Sequence, residues 1–297
     1  MGFNNVALKN YMAFKELAYN RNISYGDVTV GKGLKYADGK HDSFDIYRAP
    51  GNNQPVLINF HGGVLAGRNR RSRKAFCIDL AKEGLCVINV GYSHHARLGV
   101  EKAIENVYKI IDFVFNNATA LSLDTDNVLI AGDEIGAYFA GRVVDKAIKN
   151  NVKIKGFIGL SGLYDLLRHT KENNKFSTQF ELMKKFFNVN LRVVNQAQKQ
   201  HLKELSITYQ VTEDYPPTFI AHSEHDEFTP EQGNAIAKAL TNHGILLWEF
   251  KAVEERCPSN WHLNRSLPQA VACMNYLREF IKAVLSGNIN KNEYREI

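Results

Sequence analysis

The sequence predicts an α/β fold with one mostly parallel central sheet and helices on both faces. Short apolar runs alternate with segments of helical period, which is the order of strands joined by crossover helices. The runs are continuously apolar and rich in β-favouring residues, as in strands covered on both sides. At 297 residues, 44% of them hydrophobic, the chain can fill one large core. We therefore expect a single domain over residues 1–297.

Six apolar runs of four or five residues predict the buried strands, namely Val56–Phe60, Cys86–Val90, Val128–Ala131, Phe157–Leu160, Thr218–Ala221 and Leu246–Phe250. Asp27–Val30 and Ser43–Tyr47 alternate apolar with polar residues, which predicts antiparallel edge strands. Apolar residues at three- and four-residue steps predict helices over Val100–Val114 and Leu267–Val284.

Two segments depart from this alternation. Thr170–Leu205 is rich in Lys, Asn and Gln and contains scattered Phe. An insertion of this kind predicts a helical lid over a site, and a surface excursion without function is the alternative. The tail Ser286–Ile297 is polar, and we expect it to be flexible.

The charges are interspersed, with a net charge of +6, and only Arg68–Lys74 forms a dense basic run. That run would suit phosphate binding, but we favour a solvated helix start. The first residues lack a secretion signal, no apolar run is long enough for a membrane span, and the four cysteines lack C-x-x-C spacing. We expect a cytoplasmic protein with reduced thiols and without a nucleic-acid partner. The sequence does not indicate an oligomeric state.

The first candidate site motif is His61-Gly62-Gly63, directly after a predicted strand. Paired glycines there allow a tight turn that aims N–H groups into a cleft, as an oxyanion hole requires. The second motif is Gly132-Asp133-Glu134-Ile135-Gly136, between a predicted strand and a helix. Glycines two before and two after one residue predict a nucleophile elbow centred on Glu134.

Two further residues follow predicted strands. Asp226 comes shortly after Thr218–Ala221, and His262 lies between the last predicted strand and the final helix. Open α/β sheets place their sites beyond the carboxyl ends of strands. The chain order of positions 134, 226 and 262 is that of nucleophile, acid and histidine in one hydrolase architecture.

On these residues the chain resembles the α/β-hydrolase superfamily, in its H-G-G esterase and lipase branch. The resemblance extends to Ser161-Gly162-Leu163-Tyr164-Asp165 and Pro216-Pro217. It implies hydrolysis of modest carboxylic esters without a metal or an organic cofactor. It also implies that Gly63 and Val64 donate to the oxyanion, beside His61, Gly62 and Ile135.

The departure is Glu134, because the resemblance places a serine there. A carboxylate that attacked an ester would form a mixed anhydride, which is less stable than the ester consumed. Glu134 would instead face the N–H groups of the glycine turn. We hypothesise that its carboxylate occupies the oxyanion hole and pairs with His262, which would then favour its protonated form, with Asp226 on the other side.

Other residue types could supply chemistry. Ser93 and Ser161 follow strands, but neither is flanked by the glycine pair of an elbow. A metal cluster could be drawn from four histidines near strand ends, but no acidic spacing completes a ligand set; they are His94, His95, His222 and His225.

Three functions are consistent with the sequence. The first is a degenerate hydrolase, either a pseudoenzyme that binds a small ester or carboxylate-like ligand or a very weak esterase. The second is an active hydrolase that uses Glu134 as a base or nucleophile. The third is a partner-binding module that uses the fold as a scaffold.

Overall fold

The computed structural model describes residues 18–63, 70–92, 99–168, 186–187, 195–225, 231–254, 257 and 261–297. They form one nine-stranded sheet. The strands are β1 (Thr29–Lys35), β2 (Ser43–Arg48), β3 (Gln54–Phe60), β4 (Cys86–Gly91), β5 (Leu123–Asp133), β6 (Gly156–Leu160), β7 (Thr218–Ser223), β8 (Leu247–Ala252) and β9 (Glu293–Glu296). The helices are α1 (Lys74–Ala81), α2 (Val100–Asn116), α3 (Ile135–Lys149), α4 (Gln196–Leu205), α5 (Glu231–Asn242) and α6 (Pro268–Ser286).

The order across the sheet is β1-β2-β4-β3-β5-β6-β7-β8-β9. Strand β2 pairs antiparallel with both β1 and β4, whereas every other pairing is parallel. The predicted α/β fold with a mostly parallel sheet is therefore confirmed. Strand β2 differs from the predicted edge strand, because β1 covers its outer side and its residues are mostly buried.

The core consists of two apolar layers, one on each face of the sheet. Alternate residues of β3 point to opposite layers: Ile58 packs with α2 and α3, and Leu57 packs with α1 and α6. This explains the continuous apolar runs, because both faces of the central strands are covered. All four cysteines are buried free thiols. Among the residues described, no helix combines the length and apolar character that a bilayer crossing requires.

The C-terminal tail differs from the flexible segment that its composition predicts. Strand β9 pairs in parallel with β8 and forms the other edge of the sheet. The backbone carbonyl of Lys291 accepts the Trp248 indole N–H, and the Arg295 guanidinium lies 3.9 Å from the Tyr276 ring centroid. The tail is ordered because its backbone completes an exposed strand edge, a pairing that local polarity does not reveal.

Candidate active site

The predicted elbow is present at the junction of β5 and α3. Glu134 follows the last residue of β5 and has φ +51° and ψ −122°, a backbone conformation that residues other than glycine rarely adopt. Its backbone is held on both sides, because its N–H donates to the Leu160 carbonyl at 3.0 Å and its carbonyl accepts from Ala137 at 3.1 Å. The surrounding structure thus stabilises a strained turn, as a nucleophile elbow requires.

The two glycines that flank the elbow allow α3 to approach β3 closely. A Cβ atom on Gly136 would lie 2.1 Å from the Phe60 carbonyl oxygen. One on Gly132 would lie 2.3 Å from the Gly136 carbonyl oxygen. The glycine spacing noted in the sequence is therefore a packing requirement, since backbone cannot retreat as a flexible side chain can.

Gly136→Ala is expected to lower the free energy of unfolding by about 2 kcal/mol, because its methyl group would clash with backbone. Gly141→Ala, in the same helix, is the matched control. The nearest atom there is the flexible end of the Ile207 side chain, at 2.4 Å. Chemical denaturation should therefore give a smaller loss for Gly141→Ala, and equal losses would contradict the packing argument.

The glycine turn after β3 binds the Glu134 carboxylate. The Gly63 N–H donates to Glu134 Oε2 at 2.5 Å, and Gly63 has φ +70°. A Cβ atom on Gly62 would lie 2.6 Å from the Asp133 carbonyl oxygen and 2.8 Å from Glu134 Oε2, so the turn has no room for a side chain there. Glu134 is only 6% exposed. Its carboxylate thus lies at an oxyanion-type donor, as one half of the sequence hypothesis states.

His262 does not form the expected pair. It lies in a 3-10 turn, Trp261–Leu263, and is buried. Neither of its ring nitrogens has a hydrogen-bond partner within the described part of the chain. Burial lowers the pKa of His262 to about 3; the charge of Asp133 opposes this shift, and the charges of Arg73 and Arg265 add to it. The expected hydrogen bond between Glu134 and His262 is therefore not formed, and burial favours the neutral imidazole over the protonated form.

A buried ion pair that the sequence did not indicate lies beneath the elbow. Arg73 Nε donates to Asp133 Oδ1 at 2.8 Å, and Arg73 Nη2 donates to Asp133 Oδ2. Asp133 Oδ1 also accepts the Gly62 N–H at 3.0 Å. The Asp133 carboxylate therefore joins the elbow, the glycine turn and the turn that precedes α1.

This pair also determines the charge state of Asp133. Burial alone would raise the pKa of Asp133, but the charge and hydrogen bonds of Arg73, together with His262 and the Gly62 N–H, lower it below its ordinary value. Arg73 is only 1% exposed, so the basic run is not wholly the solvated helix start that we favoured. A charged Asp133 before a buried elbow needs a counter-charge. The basic run was the signal in the sequence that could have identified this counter-charge.

The remaining predicted site residues have different positions. His61 Nδ1 is 3.0 Å from the Gly62 carbonyl oxygen, and its ring lies 4.8 Å from that of Tyr92. The Tyr92 hydroxyl donates to the His61 carbonyl. Ile135 is buried as the first residue of α3. Val64 and Asp226 lie outside the described residues, so their predicted roles stay predictions.

The alternative residues do not form a second site among those described. Ser161 follows β6 with φ +47° and is buried, and its hydroxyl lacks a hydrogen-bond partner there. His222 Nε2 lies 2.7 Å from Glu249 Oε1. Within the described ranges, no three His, Cys, Asp or Glu side chains are grouped as metal ligands. Ser93, His94 and His95 lie outside those ranges.

Part of the predicted lid packs beside the site. Helix α4 lies within the insertion, and the buried rings of Phe186 and Phe187 contact α3 at Phe139 and Tyr138, with ring centroids 5.9 and 5.3 Å apart. Phe139 in turn lies 4.7 Å from Tyr92, which contacts His61. These aromatic contacts anchor the described part of the insertion near the glycine turn. Residues 169–185 and 188–194 lie outside the described chain, and a covering role stays a prediction.

Comparison with known proteins identifies the fold family of the chain. The family model described as alpha/beta hydrolase fold matches residues 57–249. The esterase LipQ of Mycobacterium tuberculosis is 26% identical over 233 residues, which are 73% of this chain and 53% of that protein. Kynurenine formamidase of Danio rerio is 24% identical over 138 residues, 45% of this chain and 46% of that protein. The chain thus spans about half the length of the curated relatives it matches.

Solved structures share the fold across nearly the whole chain. Esterase B from Lactobacillus rhamnosis, in an inhibited form, superposes with a TM-score of 0.77 at 16% identity, covering 95% of each chain. An esterase from Rhizomucor miehei gives a TM-score of 0.73 at 23% identity, covering 94% of this chain and 91% of that one. At these identities the similarity establishes the architecture and leaves the chemistry to the residues themselves.

Proposed function

Because the chain belongs to the α/β-hydrolase fold family, we propose that it is an esterase-like member that binds a small neutral ester in its cleft without serine-type turnover. One observation carries the proposal: the Glu134 carboxylate, at the elbow, accepts the Gly63 N–H. In an esterase the corresponding donors stabilise the negative oxygen of the tetrahedral intermediate. Here a side chain of the protein supplies a negative oxygen at that donor.

The properties of His262 also disfavour ester hydrolysis. An imidazole whose pKa lies at about 3 is neutral at physiological pH but is a weak base, far from the pKa near 7 that suits general base catalysis. Its ring nitrogens have no acceptor or donor among the described residues. An attacking hydroxyl group or water would therefore receive little assistance from this histidine.

The charge at the elbow selects between the two ligand classes expected from the sequence. A carboxylate-like ligand would bring a second negative charge next to Glu134 in a site shielded from water, where like charges repel strongly. A neutral ester avoids this repulsion. We therefore propose an ester rather than a carboxylate as the ligand.

Glu134→Ser tests the proposal directly. With p-nitrophenyl butyrate as substrate, the unchanged protein is expected to hydrolyse no faster than the buffer. Glu134→Ser should exceed that rate about tenfold even with a weakly basic His262, because it frees the Gly63 N–H for the oxyanion and supplies a nucleophile that forms a hydrolysable acyl ester. Glu134→Gln is the matched control, because it removes the charge without supplying a hydroxyl group. An organophosphonate should label position 134 in the serine variant alone.

Two results would contradict lost serine chemistry. Hydrolysis by the unchanged protein that Glu134→Gln abolishes would identify a working carboxylate, the second function considered from the sequence. Organophosphonate labelling of any serine in the unchanged protein would identify a nucleophile elsewhere in the chain.

A further inference from the structure

A second cavity lies apart from the elbow, at the edge of the sheet formed by β1 and β2. It has a volume of about 540 Å³, within the range of small-molecule sites. The segment before β1 and the 3-10 turn Arg70–Arg73 complete its walls. Six of its lining side chains are charged, namely Arg21, Lys32, Asp45, Arg70, Arg71 and Lys74.

Among the described residues that line this basic cavity, five are cations and one is a carboxylate. The carboxylate already has partners, because Asp45 Oδ1 accepts the Gly33 N–H at 2.9 Å and lies 3.0 Å from Arg70 Nε. Across the described residues, Arg21, Lys32 and Lys74 form no ion pair. The converging positive charges repel one another, and a bound anion would relieve that repulsion.

The cavity is held in shape by contacts of its own walls. The Asn20 side chain donates to the Ser72 carbonyl at 2.7 Å and accepts the Ala75 N–H at 2.9 Å, so it ties the segment before β1 to the start of α1. The Lys74 ammonium lies 5.4 Å from the centroid of the Tyr25 ring. A preformed cavity loses less freedom on binding than an open surface does.

We propose that this cavity binds a soluble small molecule through a phosphoryl or pyrophosphoryl group. Arginine side chains match the oxygens of such groups with paired N–H donors, and lysines add point charges. The three cations that form no ion pair among the described residues suit a multiply charged anion better than a single carboxylate. A lipid phosphate has the same chemistry, but a recessed cavity favours a ligand that can enter from solution.

Calorimetric titration of the full chain with inorganic pyrophosphate, at fixed ionic strength, tests the proposal. We expect one site per chain and at least a tenfold weaker affinity for the double variant Arg21→Gln/Lys32→Gln, whose side chains are exposed. The matched control is Lys282→Gln/Lys291→Gln, with side chains 70% and 73% exposed and far along the sequence. It has the same net charge as the test variant. Arg70 is left unchanged, because it shares a turn with Arg73.

Three results would overturn the proposal. The first is the absence of pyrophosphate binding by the unchanged chain. The second is equal weakening in both double variants, which would indicate attraction by net charge alone. The third comes from sedimentation of the protein with phosphatidylcholine vesicles. If the protein sediments only with vesicles that contain phosphatidic acid, and does not bind pyrophosphate, the cavity binds a membrane surface instead.

Discussion

Arg73→Met is expected to lower the free energy of unfolding by about 3–5 kcal/mol at neutral pH, because it leaves a buried carboxylate without its counter-charge. Arg73 and Asp133 are both buried, and the guanidinium contacts both carboxylate oxygens. Methionine retains much of the apolar volume of the arginine stem, so the loss reports mainly the broken ion pair.

The loss should depend on pH with a defined sign. In the unchanged protein the pKa of Asp133 is lowered, so its contribution to stability is present above the unfolded pKa of about 3.9 and is lost as the pH falls through the lower folded value. Without Arg73, burial would raise that pKa, and the variant would gain stability as Asp133 takes up a proton. Urea denaturation at about pH 7 and about pH 5 should therefore show the difference shrinking in acid.

Two variants separate this effect from general disruption. Arg73→Met/Asp133→Asn should recover part of the loss, because the amide is neutral and its oxygen can still accept the Gly62 N–H. Arg278→Met breaks a half-buried pair with Glu83 and should cost about 1 kcal/mol or less. A loss for Arg73→Met no larger than that for Arg278→Met would contradict the role assigned to the buried pair.

The central strands were predictable because each is covered on both faces, so its own residues are apolar. Strand β4 begins at Cys86, where its apolar run begins, and β3 begins two residues before its run. Strand β5 begins at Leu123, five residues before the predicted Val128. Its first half is polar, and only Leu123 and Asp124 of that half pair with β3 before the register shifts and pairing resumes at Val128.

The elbow and the glycine turn were predictable because glycine spacing at a strand end reports a local backbone requirement. The partners of the site were not, because they depend on residues far apart in the sequence. Arg73 lies 60 residues before Asp133, and no local pattern assigns one to the other. The direction in which the pKa of His262 is shifted was not predictable either, because that pKa depends on burial and on the positions of surrounding charges.

His262→Leu is expected to make the fold markedly more resistant to acid. The pKa of His262 is lowered to about 3 in the folded protein, against about 6.5 for an unfolded histidine. As the pH falls below about 6.5, the unfolded chain binds a proton that the folded chain does not, so stability is lost until the folded pKa is reached. One such proton costs about 1.4 kcal/mol per pH unit once the unfolded histidine is fully protonated, so the loss between pH 6.5 and 4.5 is about 2 kcal/mol.

The test compares the removal of the buried imidazole of His262 with the removal of the exposed imidazole of His243. At pH 7.5, His262→Leu should change the free energy of unfolding by less than about 1.5 kcal/mol, because the buried ring has no hydrogen bond to lose among the described residues. Below about pH 6.5, the free energy of unfolding of this variant should fall less steeply with decreasing pH, by the equivalent of about one bound proton. His243→Leu removes an exposed imidazole and should leave the slope as it is. If His262→Leu leaves the slope equally unchanged, the imidazole takes up its proton in the folded protein, and the argument that it is too weak a base for ester hydrolysis no longer holds.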